Sequence, residues 1–122
     1  MKLSKIVNSC EKLVHAQSYS FRDLENEVAA IKLEFETFNF FVEVIEESDE
    51  LRLAKQSNLC ELVATDKPLG FHSCYGLRLC WAWSMTNNQG YSDSLKFEFE
   101  DNQVIELVAM ASSIKQFSVS EL

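Results

Sequence analysis

Apolar residues near the N-terminus recur at three- and four-residue steps, which is the spacing of one face of an α-helix. The pattern predicts an amphipathic helix over residues 3–16, followed by a short second helix over residues 21–28 that Ser20 would cap. The apolar positions of the first helix are Leu3, Ile6, Val7, Cys10, Leu13 and Val14. Such a helix can bury one stripe against a neighbouring layer.

From Ala29 onward the period changes to two, which is typical of half-buried strands. Alternation predicts strands at residues 31–35, 40–44 and 51–53. The links between them are short, and parallel neighbours would need crossovers of a dozen or more residues. We therefore expect an antiparallel meander in this part of the chain.

Residues 56–76 lack a clean period and contain Pro68, Gly70 and Gly76, so they predict the longest irregular connection. The next ten residues, 77–86, predict the longest strand, a central one. Its predicted inward row is Leu77, Leu79, Trp81, Trp83 and Met85. Both tryptophans are thus expected in the core.

Three further strands are predicted at residues 95–99, 105–109 and 114–119. Together the elements predict an α+β fold. One or two N-terminal helices would pack on one face of a six- or seven-stranded, mostly antiparallel twisted sheet. A length of 122 residues suits a single domain, residues 1–122.

The net charge of −8 changes the range of expected partners. Nucleic acids and anionic membranes are disfavoured, because binding them requires clustered lysine and arginine. The sequence contains neither an export signal nor an apolar run long enough to span a bilayer, so a cytoplasmic location is expected. A basic protein is the partner that this charge favours.

Candidate chemistry is sparse. His15 and His72 are the two histidines, and the four cysteines are not spaced as zinc ligands or as a redox pair, so no metal and no other cofactor is expected. Glycine-rich phosphate loops are absent. His72 and Cys74, with Asp66 nearby, could in principle form an activated thiolate, but no oxyanion loop accompanies them. The expectation is a protein without enzymatic activity.

The most concentrated charge is EVIEESDE, residues 43–50, which holds five acids and no base. The acids are Glu43, Glu46, Glu47, Asp49 and Glu50. One interpretation is a solvated hairpin, and the other is an acidic docking edge for a basic partner. The negative potential would extend further if Glu34, Glu36, Glu98 and Glu100 lay on the same face.

The stretch WAWSMTNNQGYSD, residues 81–93, leads into the acidic strand LKFEFED. This combination of W-x-W, Asn87-Asn88 and Gly90-Tyr91-x-Asp93 resembles the C-terminal half of small, uncharacterised bacterial proteins. The size and acidity are similar to those of immunity proteins in contact-dependent inhibition systems. The resemblance implies a cytosolic inhibitor without catalytic residues, which binds one toxin domain, often a basic nuclease. The turn residues expected to contact the partner are Asn88, Gln89, Tyr91 and Asp93.

Two alternatives stay open. In the first, the chain binds a small molecule or carbohydrate in a pocket lined by Trp83, Tyr91 and His72. In the second, an uncovered sheet edge pairs with a second copy, which would give a homodimer.

Overall fold

A computed structural model describes residues 2–66 and 70–118, which form two antiparallel sheets and one short helix. In chain order the elements are α1 Leu3–Asn8, β1 Leu13–Phe21, β2 Leu24–Phe35, β3 Asn39–Ile45, β4 Glu50–Ala54, β5 Leu62–Thr65, a 3₁₀ turn Phe71–Cys74, β6 Leu79–Thr86, β7 Ser92–Phe99, β8 Gln103–Met110 and β9 Ser113–Ser118. The described residues thus contain more strands than the six or seven predicted, and they are divided between two sheets.

The strand order is β4-β3-β2-β1-β5 in the first sheet and β6-β7-β8-β9 in the second. The inner faces of both sheets contribute to one buried cluster, so the sheets pack against each other. The largest fully buried side chains are Phe40, Phe71, Phe97, Phe99, Leu13, Ile31, Leu33, Leu79 and Leu107. Phe71 makes edge-to-face contacts with Phe97 and Phe99, which brings the 3₁₀ turn into this core.

The helix prediction is wrong beyond Asn8, where α1 ends after six residues. Residues 13–21 form β1, and the predicted second helix is the end of β1 and the start of β2. The inward side of β1 includes Ala16, Ser18 and Ser20, all buried. Because these residues are small or polar, hydrophobicity does not reveal the period of two. The described residues include no helix with the length and apolarity needed to cross a membrane.

The predicted inward row of β6 is also wrong after Leu79. Leu79 pairs with Phe99, but Trp81 already pairs with Glu98, so Cys80 is an extra residue in the strand. A bulge of one residue moves every later side chain to the opposite face. The two tryptophans therefore lie on the outer face, with Trp81 54% exposed and Trp83 40% exposed. The strand is at the edge of its sheet, not in the centre.

Other strand predictions are confirmed. Strands β2, β3 and β4 form the expected antiparallel meander, and β7 buries its predicted face. The prediction of an irregular connection over residues 56–76 is wrong at Leu62–Thr65, which form β5 and pair with β1, and at the 3₁₀ turn Phe71–Cys74. Pro68 and Val119, which belong to the predicted connection and the predicted last strand, lie outside the described residues.

Candidate functional site

The turns of four hairpins meet at one end of the molecule, here called the hairpin end. They are residues 22–23 between β1 and β2, residues 46–49 between β3 and β4, residues 87–91 between β6 and β7, and residues 111–112 between β8 and β9. Arg22, Asp23, Glu46, Ala111 and Ser112 line one shared concavity of about 560 Å³. Both predicted recognition segments lie at this end.

A hydrogen bond joins those two segments directly. The backbone N–H of Ser92 donates to Oε2 of Glu50 at 2.9 Å, across 42 positions of sequence. This hydrogen bond holds the pKa of the Glu50 carboxyl below its usual value of 4.5. The turn over residues 87–91 is therefore fixed beside the acidic hairpin.

Asp49 makes a second connection, between the first sheet and the turn of the β8–β9 hairpin. Its carboxylate oxygens accept hydrogen bonds from the N–H groups of Ala111 at 3.1 Å and Ser112 at 2.9 Å. Asp49 has a φ of 55°, which aspartate tolerates better than most residues. The Asp49 side chain thus links the β3–β4 turn to the β8–β9 turn.

Some side chains of the predicted acidic segment, residues 43–50, have hydrogen-bond partners within the chain, and others are exposed. Glu43 accepts bonds from Arg52 Nη2 at 2.6 Å and from Ser57 Oγ at 2.6 Å. Asp49 and Glu50 also have partners within the chain, so three of the five acids in this segment are engaged. Glu46 and Glu47 are exposed and have no described ion pair or hydrogen bond.

The other acids considered with this segment lie elsewhere. Glu34 forms an ion pair with Lys32 on the outer face of the first sheet, and Glu98 lies on the outer face of the second. The carboxylates of Glu36 and Glu100 bond to backbone N–H groups at the opposite end of the molecule. These four residues do not form one face with the acidic hairpin.

Asn87 organises the turn between β6 and β7. Its Oδ1 accepts hydrogen bonds from the N–H groups of Gln89 at 2.9 Å and Tyr91 at 3.2 Å, while Nδ2 donates to Asp93 at 3.3 Å. Gly90 takes a φ of 89° there. Three of the four predicted contact residues, Asn88, Gln89 and Tyr91, are exposed, whereas Asp93 is half-buried.

The hairpin end concentrates negative charge. Its acids are Asp23, Glu27, Glu46, Glu47, Asp49, Glu50, Glu61 and Asp93. Of the bases nearby, Arg22 donates to the carbonyl of Cys60 at 3.1 Å, and Lys115 pairs with Glu27 at 3.6 Å. The electrostatic potential at this end is therefore negative.

A feature absent from the sequence prediction is the outer face of the second sheet, here called the tryptophan face. It carries Trp81, Trp83, Lys96, Glu98, Glu106, Met110 and Phe117. The two indole rings are 6.4 Å apart between centroids, and Phe117 and Met110 are both about half exposed. The bulge at Cys80 turns the two tryptophans to this face, and the sequence carries no local signal for the bulge.

The residues considered for catalysis do not form an activated pair. Cys74 is fully buried, and burial raises the pKa of its thiol, whereas His72 is exposed. Among the described residues, no group of histidine, cysteine, aspartate and glutamate could hold a metal ion. All four cysteines are free thiols.

The predicted aromatic pocket has no counterpart among the concavities that the described residues form most clearly. Trp83, Tyr91 and His72 do not line any of these four. Trp83 lies on the tryptophan face, Tyr91 in the turn of the hairpin end, and His72 in the 3₁₀ turn. A concavity of a different composition lies beneath α1.

Comparison with known proteins gives one family. A model described as "Family of unknown function (DUF6334)" matches residues 5–122. No curated protein and no solved structure matches the chain. The matched range includes the hairpin end, the tryptophan face and both sheets.

Proposed function

The chain belongs to the DUF6334 family, whose function is unknown, and from that premise we propose that it is a partner-binding protein acting at its hairpin end. In the specific form that we propose, it is a cytoplasmic immunity protein. It binds a cognate, basic, nuclease-type toxin domain and neutralises it.

The hydrogen bond from Ser92 to Glu50 is the observation that carries this proposal. It unites an acidic hairpin and an amide- and tyrosine-rich turn into one surface, although the two segments are far apart in sequence. Glu46 and Glu47 are exposed beside it without described partners. A negative surface of this kind accelerates association with a cationic protein and favours the correct orientation.

The side chains at the hairpin end have two roles, since some hold the turns in place and others are exposed for contact. Asp49, Glu50 and Asn87 hold the turns in place through backbone hydrogen bonds. Tyr91 is 43% exposed on the turn that they fix, and tyrosine is enriched among residues that dominate binding energy. The direct contacts would therefore come from exposed residues, which are Glu46, Glu47, Asn88, Gln89 and Tyr91.

The tryptophan face supports a binding role independently of charge. Trp83 precedes Asn87 by four residues on an extended strand, a distance of about 13 Å. Two neighbouring exposed tryptophans on a sheet face that also exposes Phe117 and Met110 are typical of an interaction site. We therefore include Trp81 and Trp83 as apolar anchors, with the acidic turns at one end of the contact.

The test uses the toxin domain encoded by the reading frame immediately upstream of this chain. The two proteins are co-expressed, cell survival is measured, and the Kd of the purified pair is determined at two salt concentrations. We expect protection and an affinity that falls as salt rises, because surface charges are screened. An upstream frame without a toxin domain, or a toxin domain that the chain neither binds nor inhibits, would contradict the immunity role.

Variants locate the contact. Glu46→Lys and Glu47→Lys should each weaken binding about tenfold or more, mainly by slowing association. Glu34→Lys is the matched control, since it makes the same charge change on the outer face of the first sheet. Equal effects of all three substitutions would indicate a response to net charge alone and would remove the hairpin end from the proposal.

A further inference from the structure

We propose that the cavity beneath α1 binds a planar aromatic acid. This cavity of about 720 Å³ is within the range of small-molecule sites. It is lined by Lys2, Lys5, Ile6, Ser9, Phe38, Asn39 and Lys55. The site lies at the start of β3, whereas the hairpin end lies at the finish of the same strand, so this inference goes beyond the proposed function.

Phe38 and Ile6 form the apolar side of the cavity, and Phe38 belongs to a cluster of three nearly parallel phenylalanines. The rings of Phe35 and Phe38 are 5.1 Å apart between centroids and only 9° from parallel. Phe40 lies 6.0 Å from Phe35 and 6.3 Å from Phe38, nearly parallel to both, so the three rings form a compact cluster. Phe38 is the half-buried member that lines the cavity. A flat aromatic ring placed against Phe38 would add a further ring to this cluster at an ordinary stacking distance.

The charged side of the cavity is positive, in a chain whose net charge is −8. Lys2, Lys5 and Lys55 line it without an ion pair among the residues that the structure describes, and none of its lining residues is acidic. Two carboxylates of the same end are engaged elsewhere: Glu11 bonds to Thr37, and Glu36 accepts from the N–H of Lys12. The cavity lining therefore carries three positive charges and no negative one, which favours a bound anion.

These two sides together select the ligand class. A cavity with only an apolar side would bind any flat hydrophobic molecule, and one with only lysines would bind any anion. A carboxylate attached to a planar ring satisfies both, because the ring stacks on Phe38 while its charge stays near Lys5 and Lys55. The amide of Asn39 adds a hydrogen-bonding group to the cavity lining.

The probe is 2-naphthoate, titrated into the full chain by isothermal calorimetry, with 2-naphthamide as the neutral analogue of the same shape. Saturable binding of the acid is expected, with the amide about tenfold weaker or more, since hydrogen bonds to a charged group are the stronger ones. Backbone NMR shifts on titration should be concentrated at Ile6, Phe38 and Asn39.

Three variants separate charge from stacking. The double variant Lys5→Ala/Lys55→Ala should weaken 2-naphthoate binding about tenfold or more and leave 2-naphthamide unchanged. Lys12→Ala is the control, because Lys12 is an exposed lysine of the same end that does not line the cavity. Phe38→Leu keeps apolar volume and should weaken both compounds. Circular dichroism confirms that each variant is folded.

Several results would overturn the proposal. These are the absence of saturable binding at millimolar 2-naphthoate, equal affinities for the acid and the amide, or an affinity unchanged in the double lysine variant. Shifts confined to the hairpin end would equally reject this site. None of these outcomes depends on whether the chain binds a toxin.

Discussion

Trp83 stands opposite Lys96 across the β6–β7 pair, and the lysine Nζ lies 5.7 Å from the centroid of the indole ring. Both side chains leave the second sheet on its outer face. A cation above an indole is attracted by the ring quadrupole, although solvent limits the gain at an exposed site to about 0.5–1 kcal/mol. The contact orients an exposed tryptophan without burying it.

Replacing either tryptophan should therefore cost little stability. Trp81→Ala and Trp83→Ala are each expected to lower the free energy of unfolding by less than about 1 kcal/mol, because no core cavity is created. Phe97→Ala is the comparison, expected to cost about 3–5 kcal/mol since Phe97 is fully buried. Urea denaturation measures all three. If Trp83→Ala lowered the free energy of unfolding as much as Phe97→Ala, the outward position of Trp83 would be contradicted.

Asp49 should matter more to stability than its exposed neighbour Glu47. Asp49→Ala removes two hydrogen-bond acceptors for the β8–β9 turn and places alanine at a positive φ, so a loss of about 1–2 kcal/mol is expected. Asp49→Asn retains an acceptor and the tolerance of positive φ, and should cost less. Glu47→Ala should change stability by less than about 0.5 kcal/mol. The prediction fails if Asp49→Ala and Glu47→Ala unfold at the same urea concentration.

Glu50 should contribute to the pH dependence of stability. Its pKa is lower in the folded chain than the usual 4.5, so its contribution is complete above that value. The contribution is lost as pH falls from about 4.5 through the lower folded pKa. The stability difference between the wild type and Glu50→Gln should therefore shrink over this range. Denaturation curves from pH 6 to pH 3 measure it, and a difference independent of pH would refute the role of the Ser92 hydrogen bond.

The four thiols should differ in reactivity. Cys10, Cys60 and Cys80 are exposed and should react with a maleimide in the native chain, whereas Cys74 should react only after unfolding. The pKa of Cys80 is raised by partial desolvation and by Glu100 and Glu98. Its labelling rate should consequently rise at higher pH than that of a model peptide thiol. Labelling of Cys74 under native conditions would contradict its burial.

Strands with apolar inward faces could be predicted from sequence, and the later part of β2, residues 31–35, together with β3 and β7 are examples. Their alternation follows from the need to bury one face of a sheet. The strand β1 could not be predicted in this way, because Ser18 and Ser20 occupy buried positions. Small polar side chains can be buried where neighbouring elements fill the remaining space. The pattern of a single sequence does not show which elements those are.

The candidate site was partly accessible to sequence reasoning. The acidic run and the turn after Trp83 were both identified, since charge and turn chemistry are local properties. That these two segments lie side by side could not be predicted, because the Ser92–Glu50 hydrogen bond depends on how the two sheets pack. The same applies to the basic cavity beneath α1, where Lys55 comes from a distant part of the chain.

By itself the sequence determined the antiparallel pairing of neighbouring strands, the acidity of the chain and the turn at Gly90, because period, charge and backbone freedom are encoded residue by residue. Only the tertiary structure decided that the strands divide into two sheets and that the hairpin turns converge at one end. It also decided that Trp81 and Trp83 face solvent. One bulge residue, Cys80, turns the later side chains of β6 to the opposite face of the sheet. The register of the strands is set by packing across both sheets rather than by any single residue.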